Sequence, residues 1–326
     1  MHLFARSIGV GVLLVLTAAV AAAQGDARNF PERAVRIIVP FPAGGPTDIL
    51  ARVIGQRMSD DWGQPVVIEN RPGGDTVIAA QQVAKAAPDG YTLLAAMDTT
   101  LVMNPATKKN LPYDPHKDFA YVTMAAQNTS LLIVRADGPQ SVPELIAKAK
   151  ASPGKLNYGA GIITTRLAGY LFNRLAGIDT VFVPYKGSTE VVQGLLTGSI
   201  DFSIDGVSAS IQLIKDGRLR ALAKLNNQPL PALPDLQSLS VAANLAELGE
   251  ISTWAGLVAP AGTPTAIVKK IQRDVAAVAG NPEVAAKLQG FGIVATSSTP
   301  SEFDRYYRSE LDRWSNVFRD SGIILE

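Results

Sequence analysis

The sequence predicts an α/β protein built as two lobes with a binding crevice between them. Three observations point there. Short apolar, β-branched runs alternate with helical patterns along most of the chain, as in βαβ units with parallel sheets. Several of these runs end in glycine-rich or polar loops that open a helix, and such loops line the crevice at the carboxyl edge of an open sheet. The alternation then lapses into a proline-punctuated stretch after Leu225 and resumes at Trp254, as expected of a chain that leaves one lobe and returns to the other.

Residues 1–23 read as a secretory signal peptide. His2 and Arg6 form a short positive region, residues 8–20 an apolar core, and Ala21-Ala22-Ala23 a small-residue cleavage site. Cleavage near Ala23 leaves Gln24 as the first residue and the periplasm as the expected location. The apolar run is short for a membrane anchor. With no cysteine in the chain, neither a lipid anchor nor a disulfide scaffold is available. About three hundred residues remain, a length that suggests two domains. The expected lobes are residues 26–128 with 252–326, and residues 129–251. Basic and acidic residues balance once Arg6 is removed. That balance gives no electrostatic footprint for nucleic acid or an anionic membrane. A monomer is expected.

The first lobe opens with a buried strand, Ala34 to Val39, which Pro40 and Pro42 terminate because neither donates to a ladder. Gly44 and Gly45 allow a tight turn, and Thr47 or Asp48 is expected to cap a helix reaching Trp62. Free N–H groups at that helix start favour an anion, although an ordinary βα loop needs no ligand. A second unit follows: strand Pro65 to Glu69, loop Asn70 to Thr76, helix Val77 to Ala86. The third strand, Tyr91 to Ala96, runs into the polar end Met97-Asp98-Thr99-Thr100. Residues 104–118 look irregular. Two apolar runs, Phe119 to Ala126 and Leu131 to Val134, flank a crossover at Gln127 to Ser130.

The second lobe begins with a helix that Ser141 caps, with Glu144 as its capping-box partner. The strand Leu156 to Tyr158 enters the loop Gly159 to Arg166 and an amphipathic helix. Strand Thr180 to Val183 ends at Pro184-Tyr185-Lys186-Gly187-Ser188, and strand Ile200 to Ile204 ends at Asp205-Gly206. Leu219 to Leu225 is the last strand of the lobe. After the return at Trp254, Thr263 is expected to cap a helix with Pro264 at its first position, and Asn281-Pro282 to start another. The stripe Phe303, Tyr306, Tyr307, Leu311, Trp314, Phe318 marks a long amphipathic helix whose aromatic face is core rather than a cofactor site.

Catalytic chemistry has little to stand on. His116 is the one histidine after the signal segment and has no second ligand at helical spacing. There is no Gly-x-Ser-x-Gly elbow, no phosphate-binding Gly-x-x-x-x-Gly-Lys loop and no complete dinucleotide fingerprint. No cofactor and no metal are expected. Asp48, Asp98 and Asp205 stand at strand ends, where carboxylates serve as caps or ligand hydrogen-bond partners more often than as bases.

Several segments together resemble one family. They are residues 39–48 (Val-Pro-Phe-Pro-Ala-Gly-Gly-Pro-Thr-Asp), 69–74 (Glu-Asn-Arg-Pro-Gly-Gly), 183–188 (Val-Pro-Tyr-Lys-Gly-Ser), and Trp254 to Leu257 with Ala259 to Pro264. In order and spacing they are similar to the Bug family, periplasmic substrate-binding proteins of tripartite tricarboxylate transporters. The resemblance implies a type II periplasmic binding fold with a small carboxylate between the lobes. It implies that first-lobe loops hold one carboxylate through backbone groups, here Phe41, Ala43, Gly44, Gly45, Thr47, Asn70, Gly73 and Gly74, with Thr99 at the third strand end. The second lobe would contribute Gly161, Thr164, Thr165, Arg166, Tyr185, Lys186 and Asp205. The sequence departs from the family pattern at Arg166, where a histidine is common, at Pro46, where a small residue is common, and before Trp254.

The function expected is capture of a small organic acid for membrane permease subunits or a sensor kinase. A periplasmic enzyme on a similar scaffold, or a scaffold subunit with no strong ligand, are the alternatives. Arg166 near a helix start asks for an anionic partner. It either grips the second carboxylate of a dicarboxylate, or reaches Asp205 or solvent.

Overall fold

In the computed structural model, which describes residues 27–248 and 251–321, the chain forms two α/β lobes, each around its own sheet. The expected signal peptide, with cleavage near Ala23, lies outside the described residues.

The first sheet has the order β2-β1-β3-β10-β4-β11 and the second β7-β6-β8-β5-β9. In the first, β1 (Val35–Val39) lies parallel between β2 (Val66–Asn70) and β3 (Thr92–Met97). Four of its five residues are buried, which is why the run is almost continuously apolar. In the second, β6 (Asn157–Ala160) lies parallel between β7 (Val181–Pro184) and β8 (Phe202–Gly206). Each sheet is extended by an antiparallel strand that follows a change of lobe. In the second sheet that strand is β5 (Ser130–Arg135), set between β8 and β9 (Leu219–Lys224). In the first it is β10 (Thr253–Pro260), set between β3 and β4 (Phe119–Asn128), with β11 (Ile293–Ala295) on the outer edge. The two sheets thus share one order, and their parallel strands carry the loops that face the other lobe.

Two crossovers connect the sheets, one at Thr129 and one between β9 and β10. They are tied side by side. The Leu225 amide donates to the Ser130 carbonyl at 2.9 Å, the Thr129 hydroxyl to Asn226 Oδ1 at 3.4 Å, and Asn226 Nδ2 to Ser252 Oγ at 3.0 Å.

The helices follow local chemistry. The first, α1 (Pro46–Trp62), has Pro46 in its first turn and a left-handed Gly63 as its stop. After it come α2 (Val77–Ala84) and the short α3 (Asn104–Thr107). A π-helical turn, Thr99–Met103, joins β3 to α3, and α3 makes the start of the stretch expected to be irregular, residues 104–118, helical. In the second lobe, α4 (Val142–Ala151) is capped by Ser141, whose Oγ accepts the Glu144 amide, as the capping-box reading requires. Then come α5 (Ile163–Ala176), α6 (Ser188–Thr197), α7 (Val207–Lys215) and the short α8 (Leu239–Ala242). The chain closes with α9 (Thr265–Ala279), α10 (Pro282–Gln289) and α11 (Pro300–Ser321). The aromatic stripe is core: Phe303, Tyr307, Trp314 and Phe318 are buried, and Phe303 meets Trp254 edge-on at 5.5 Å.

Two caps differ from the sequence reading. Pro264, not Thr263, is the N-cap of α9, and the Thr263 hydroxyl donates back to the Pro260 carbonyl at 2.7 Å. Gly45, not Thr47 or Asp48, is the N-cap of α1. Asp48 instead reaches back along the loop. Its Oδ2 accepts the Gly44 amide at 2.9 Å and Arg52 Nε at 3.0 Å, and its Oδ1 accepts Asn70 Nδ2 at 2.9 Å. Burial alone would raise the Asp48 pKa. The bonds from Arg52, Gly44 and Asn70 outweigh burial and hold it below the usual carboxylate range. Asn70 Nδ2 also donates to the Phe41 carbonyl at 2.9 Å, so one buried carboxylate and one amide set the path of the whole loop from Phe41 to Gly45.

A lowered folded pKa means stability that is present above the unfolded Asp pKa and lost as pH falls through the folded one. Asp48→Asn should therefore lower stability at pH 7 by about 1–3 kcal/mol. It should also shrink the loss of stability seen below about pH 4. Denaturant titrations of both proteins between pH 2.5 and 7 measure this, and an unchanged acid limb would show that Asp48 does not anchor the loop.

Candidate functional site

The lobes face each other across a narrow cavity of about 40 Å³. From the first lobe it is lined by Phe41, Pro42, Gly45, Pro46 and Thr47, with Met97 at the end of β3. The second lobe contributes Ile162, the run Gly187 to Glu190, and Asp205 with Gly206. Ser130 and Thr253, the first residues of the strands that follow the crossovers, complete it.

Four of these residues are helix N-caps. Gly45 caps α1, Ile162 caps α5, Gly187 caps α6 and Gly206 caps α7. None of the four helices has a side-chain cap hydrogen bond. Four helix N-termini, with first-turn amides not consumed by a capping side chain, thus converge on one small space. Each carries partial positive charge, and together they favour an anion. The α1 end is the most restricted, because Pro46 has no N–H and the Gly44 amide is spent on Asp48. Ala43, Gly45 and Thr47 are then the backbone donors of that loop. Gly44 has φ +89°, a left-handed conformation that a branched residue adopts only with strain.

The lobes touch across this space. The Thr189 hydroxyl faces the Ala43 carbonyl at 3.5 Å, and a Cβ on Gly206 would come within 2.8 Å of Pro46 Cγ. Deeper in, the Thr164 hydroxyl donates to Asp98 Oδ2 at 2.5 Å, joining α5 of one lobe to the end of β3 in the other.

Two buried carboxyls are strongly perturbed. Asp205 donates nothing in its ionised form. Its Oδ1 accepts the Ser188 hydroxyl and the Gly206 amide, each at 2.8 Å, while its buried Oδ2 has no partner. Burial pushes its pKa up to about 6 against those two bonds. Asp98 is pushed up to about 7, again by burial, with the Thr164 hydroxyl and the Thr99 amide pulling the other way. Its Oδ1 also lacks a partner.

The residues expected from the sequence divide into three groups. Phe41, Gly45, Thr47 and Asp205 line the cavity. Ala43, Gly44, Asn70, Gly161 and Thr164 shape it from behind. Gly161, for example, lies so close to the backbone of Gly187 that a Cβ there would come within 2.8 Å. The remaining seven lie elsewhere. Gly73 and Gly74 are exposed in a loop with positive φ from Gly73 through Thr76. Thr99 is buried in the π-helical turn, and Thr165 turns its hydroxyl to the Ile162 carbonyl at 3.1 Å. The Tyr185 ring packs against Gly159 and Gly194 inside the second lobe, and Lys186 is exposed. Arg166 is one turn past the N-cap, with its amide already bonded to the Ile162 carbonyl at 3.0 Å. Its guanidinium lies over the Phe182 ring, 4.6 Å from the centroid. Ile162 falls in the expected loop Gly161 to Arg166 and Gly187 ends the expected turn Tyr185-Lys186-Gly187, whereas Ser188 and Gly206 were not expected, although each stands where a strand-end loop enters a helix. Ser130 and Thr253 carried no such signal, since both begin strands.

The sequence matches the family model described as "Tripartite tricarboxylate transporter family receptor" over residues 50–323. Three solved structures are similar along almost the whole chain. One is a protein of R. palustris with adipate, 35% identical with a TM-score of 0.86, covering 90% of this chain and 99% of that one. Another is the periplasmic binding protein BugD, 28% identical with a TM-score of 0.85, covering 91% and 100%. The third is MatC from Rhodopseudomonas palustris with bound malate, 30% identical with a TM-score of 0.81, covering 88% and 99%.

Asp98 generates a pH prediction. Its folded pKa is raised, so between about pH 4 and 7 the folded protein holds a proton that the unfolded chain releases. Stability therefore falls as pH rises through that window. Asp98→Asn removes the ionisable group and should stabilise the protein at pH 8 by something on the order of 1–4 kcal/mol, with little effect at pH 5. Melting curves at the two pH values check this. An equal effect at both would contradict a buried, titrating Asp98.

Proposed function

The chain belongs to the tripartite tricarboxylate transporter receptor family, and from that premise we propose that it captures a small organic acid in the periplasm and delivers it to the membrane permease subunits of such a transporter. It is a binding protein and not an enzyme. The observation that carries the reading is the convergence of four uncapped helix N-termini on one inter-lobe cavity. Backbone amides at the starts of α1, α5 and α6 supply the donors a carboxylate needs, while at α7 the Gly206 and Val207 amides are bonded to Asp205 and Thr129. The adipate and malate held by two related proteins are acids of this kind.

At about 40 Å³ the cavity is far below the roughly 300–1,000 Å³ of sites that enclose small molecules. Ligand entry then requires the lobes to part. The two crossovers, tied through Thr129, Asn226 and Ser252, are the place for a hinge, with residues 26–128 and 252–326 moving against residues 129–251. The protein acts as a monomer in this account.

A screen of small carboxylates should raise the melting temperature without converting the compound. At a ligand concentration of 100 Kd the gain is about 2.7 kcal/mol. Gly206→Val places a side chain against Pro46 where the lobes meet. The variant should keep its secondary structure and lose at least about tenfold in affinity, read by calorimetric titration. Full affinity in this variant would contradict binding by closure around this cavity.

A further inference from the structure

The second-lobe end of the cavity is acidic. Among the described residues no Lys, Arg or His lines it, and its ionisable side chains are Asp205 and Glu190. Glu190 is exposed, and its carboxylate accepts the Lys186 amide at 3.1 Å. Asp205 is only 3% exposed. Both donors that reach it, from Ser188 and Gly206, converge on Oδ1 and come from the starts of α6 and α7. One resident carboxylate thus takes a donor from each of two helix starts, and its second oxygen has no partner.

An ionised carboxylate offers acceptors only. A second carboxylate placed against it would meet like charge at close range in a site screened from solvent. A donor placed there would satisfy Oδ2, and an ammonium would also bring the missing opposite charge. We propose that Asp205 sets the specificity of the cleft, which takes a small carboxylate whose far end carries an ammonium or hydroxyl donor, in preference to a plain dicarboxylate. The inference deepens the carboxylate-receptor reading and rests on it. The ligand carboxylate lies toward Gly45 and Thr47, and the donor lies on Asp205 Oδ2. This reverses the role the sequence suggested for Arg166, whose guanidinium lies over Phe182 rather than in the cavity. The raised pKa of Asp205, about 6, adds a pH signature. Below that value the free oxygen takes a proton and becomes a donor, and the preference shifts toward the dicarboxylate.

The test is calorimetric titration of the wild-type protein and Asp205→Asn with 4-aminobutyrate, 4-hydroxybutyrate and succinate, together with their shorter and longer homologues, at pH 8 and pH 5.5. At pH 8 the wild type should bind the amino or hydroxy acid at least tenfold more tightly than the matched diacid. Asp205→Asn places an amide donor at the free position and should narrow or invert that ratio. If this variant does not fold, Asp205→Ser, whose hydroxyl also offers a donor, carries the same test at pH 8. A diacid bound as tightly as its donor-bearing counterparts at pH 8 overturns the role of Asp205 and leaves the carboxylate receptor standing. No binding of any acid to the wild type overturns the receptor reading, and this inference with it.

Discussion

The structure depends on a local imbalance of hydrogen bonding. Helices that begin at Gly45, Ile162, Gly187 and Gly206 start without a side-chain cap, and all four starts face one cavity. Caps are worth about 1 kcal/mol each, so their shared absence has a cost in stability. The cost is consistent with donors held ready for an anion from outside the chain. Three of the starts lie on the second lobe and one on the first, so a ligand in the cavity touches both lobes.

Around this cavity the chain fixes what must not move. Asp48 and Asn70 hold the first-lobe loop through four hydrogen bonds, counting those to Gly44, Arg52 and Phe41. In the second lobe, Gly161 allows two loops to stack directly on each other. Between the lobes some of the contacts are polar. The Asp98–Thr164 bond buries a carboxyl whose other oxygen is unpartnered. Such a contact is poor glue, because a buried polar group without full partners gives up much of what the contact gains. Contacts of that kind suit an interface that opens and closes.

Much of the fold was legible in the sequence. Period and punctuation gave β1 to β3, the Ser141 cap, the Asn281 helix start and the aromatic face of α11, since each is a local signal. The π-helical turn and β11 were not legible. The first is set by packing of buried Leu101, Val102 and Met103, and the second is a three-residue edge strand. In the sequence, the glycine loops mark strand ends that the structure gathers around the inter-lobe cavity, but not which residue faces it. Asn70 and Arg166 look like ligand-binding side chains in sequence. Asn70 is consumed by the loop it supports, and Arg166 stacks on Phe182. Ser130 and Thr253 reach the cavity through strands placed by long-range pairing, which no local pattern encodes.

A crystal structure with a bound small carboxylate tests the central claim most directly. The account predicts a carboxylate within about 2.7–3.2 Å of the Gly45 or Thr47 amide, and the opposite end of the ligand against Asp205. A larger groove of about 400 Å³ on α1 and α10, lined by Arg52, Arg57 and Lys287 together with Asp60 and Glu283, is the alternative place for an acid. Ligand found in that groove, with the inter-lobe cavity holding only solvent, would contradict the account.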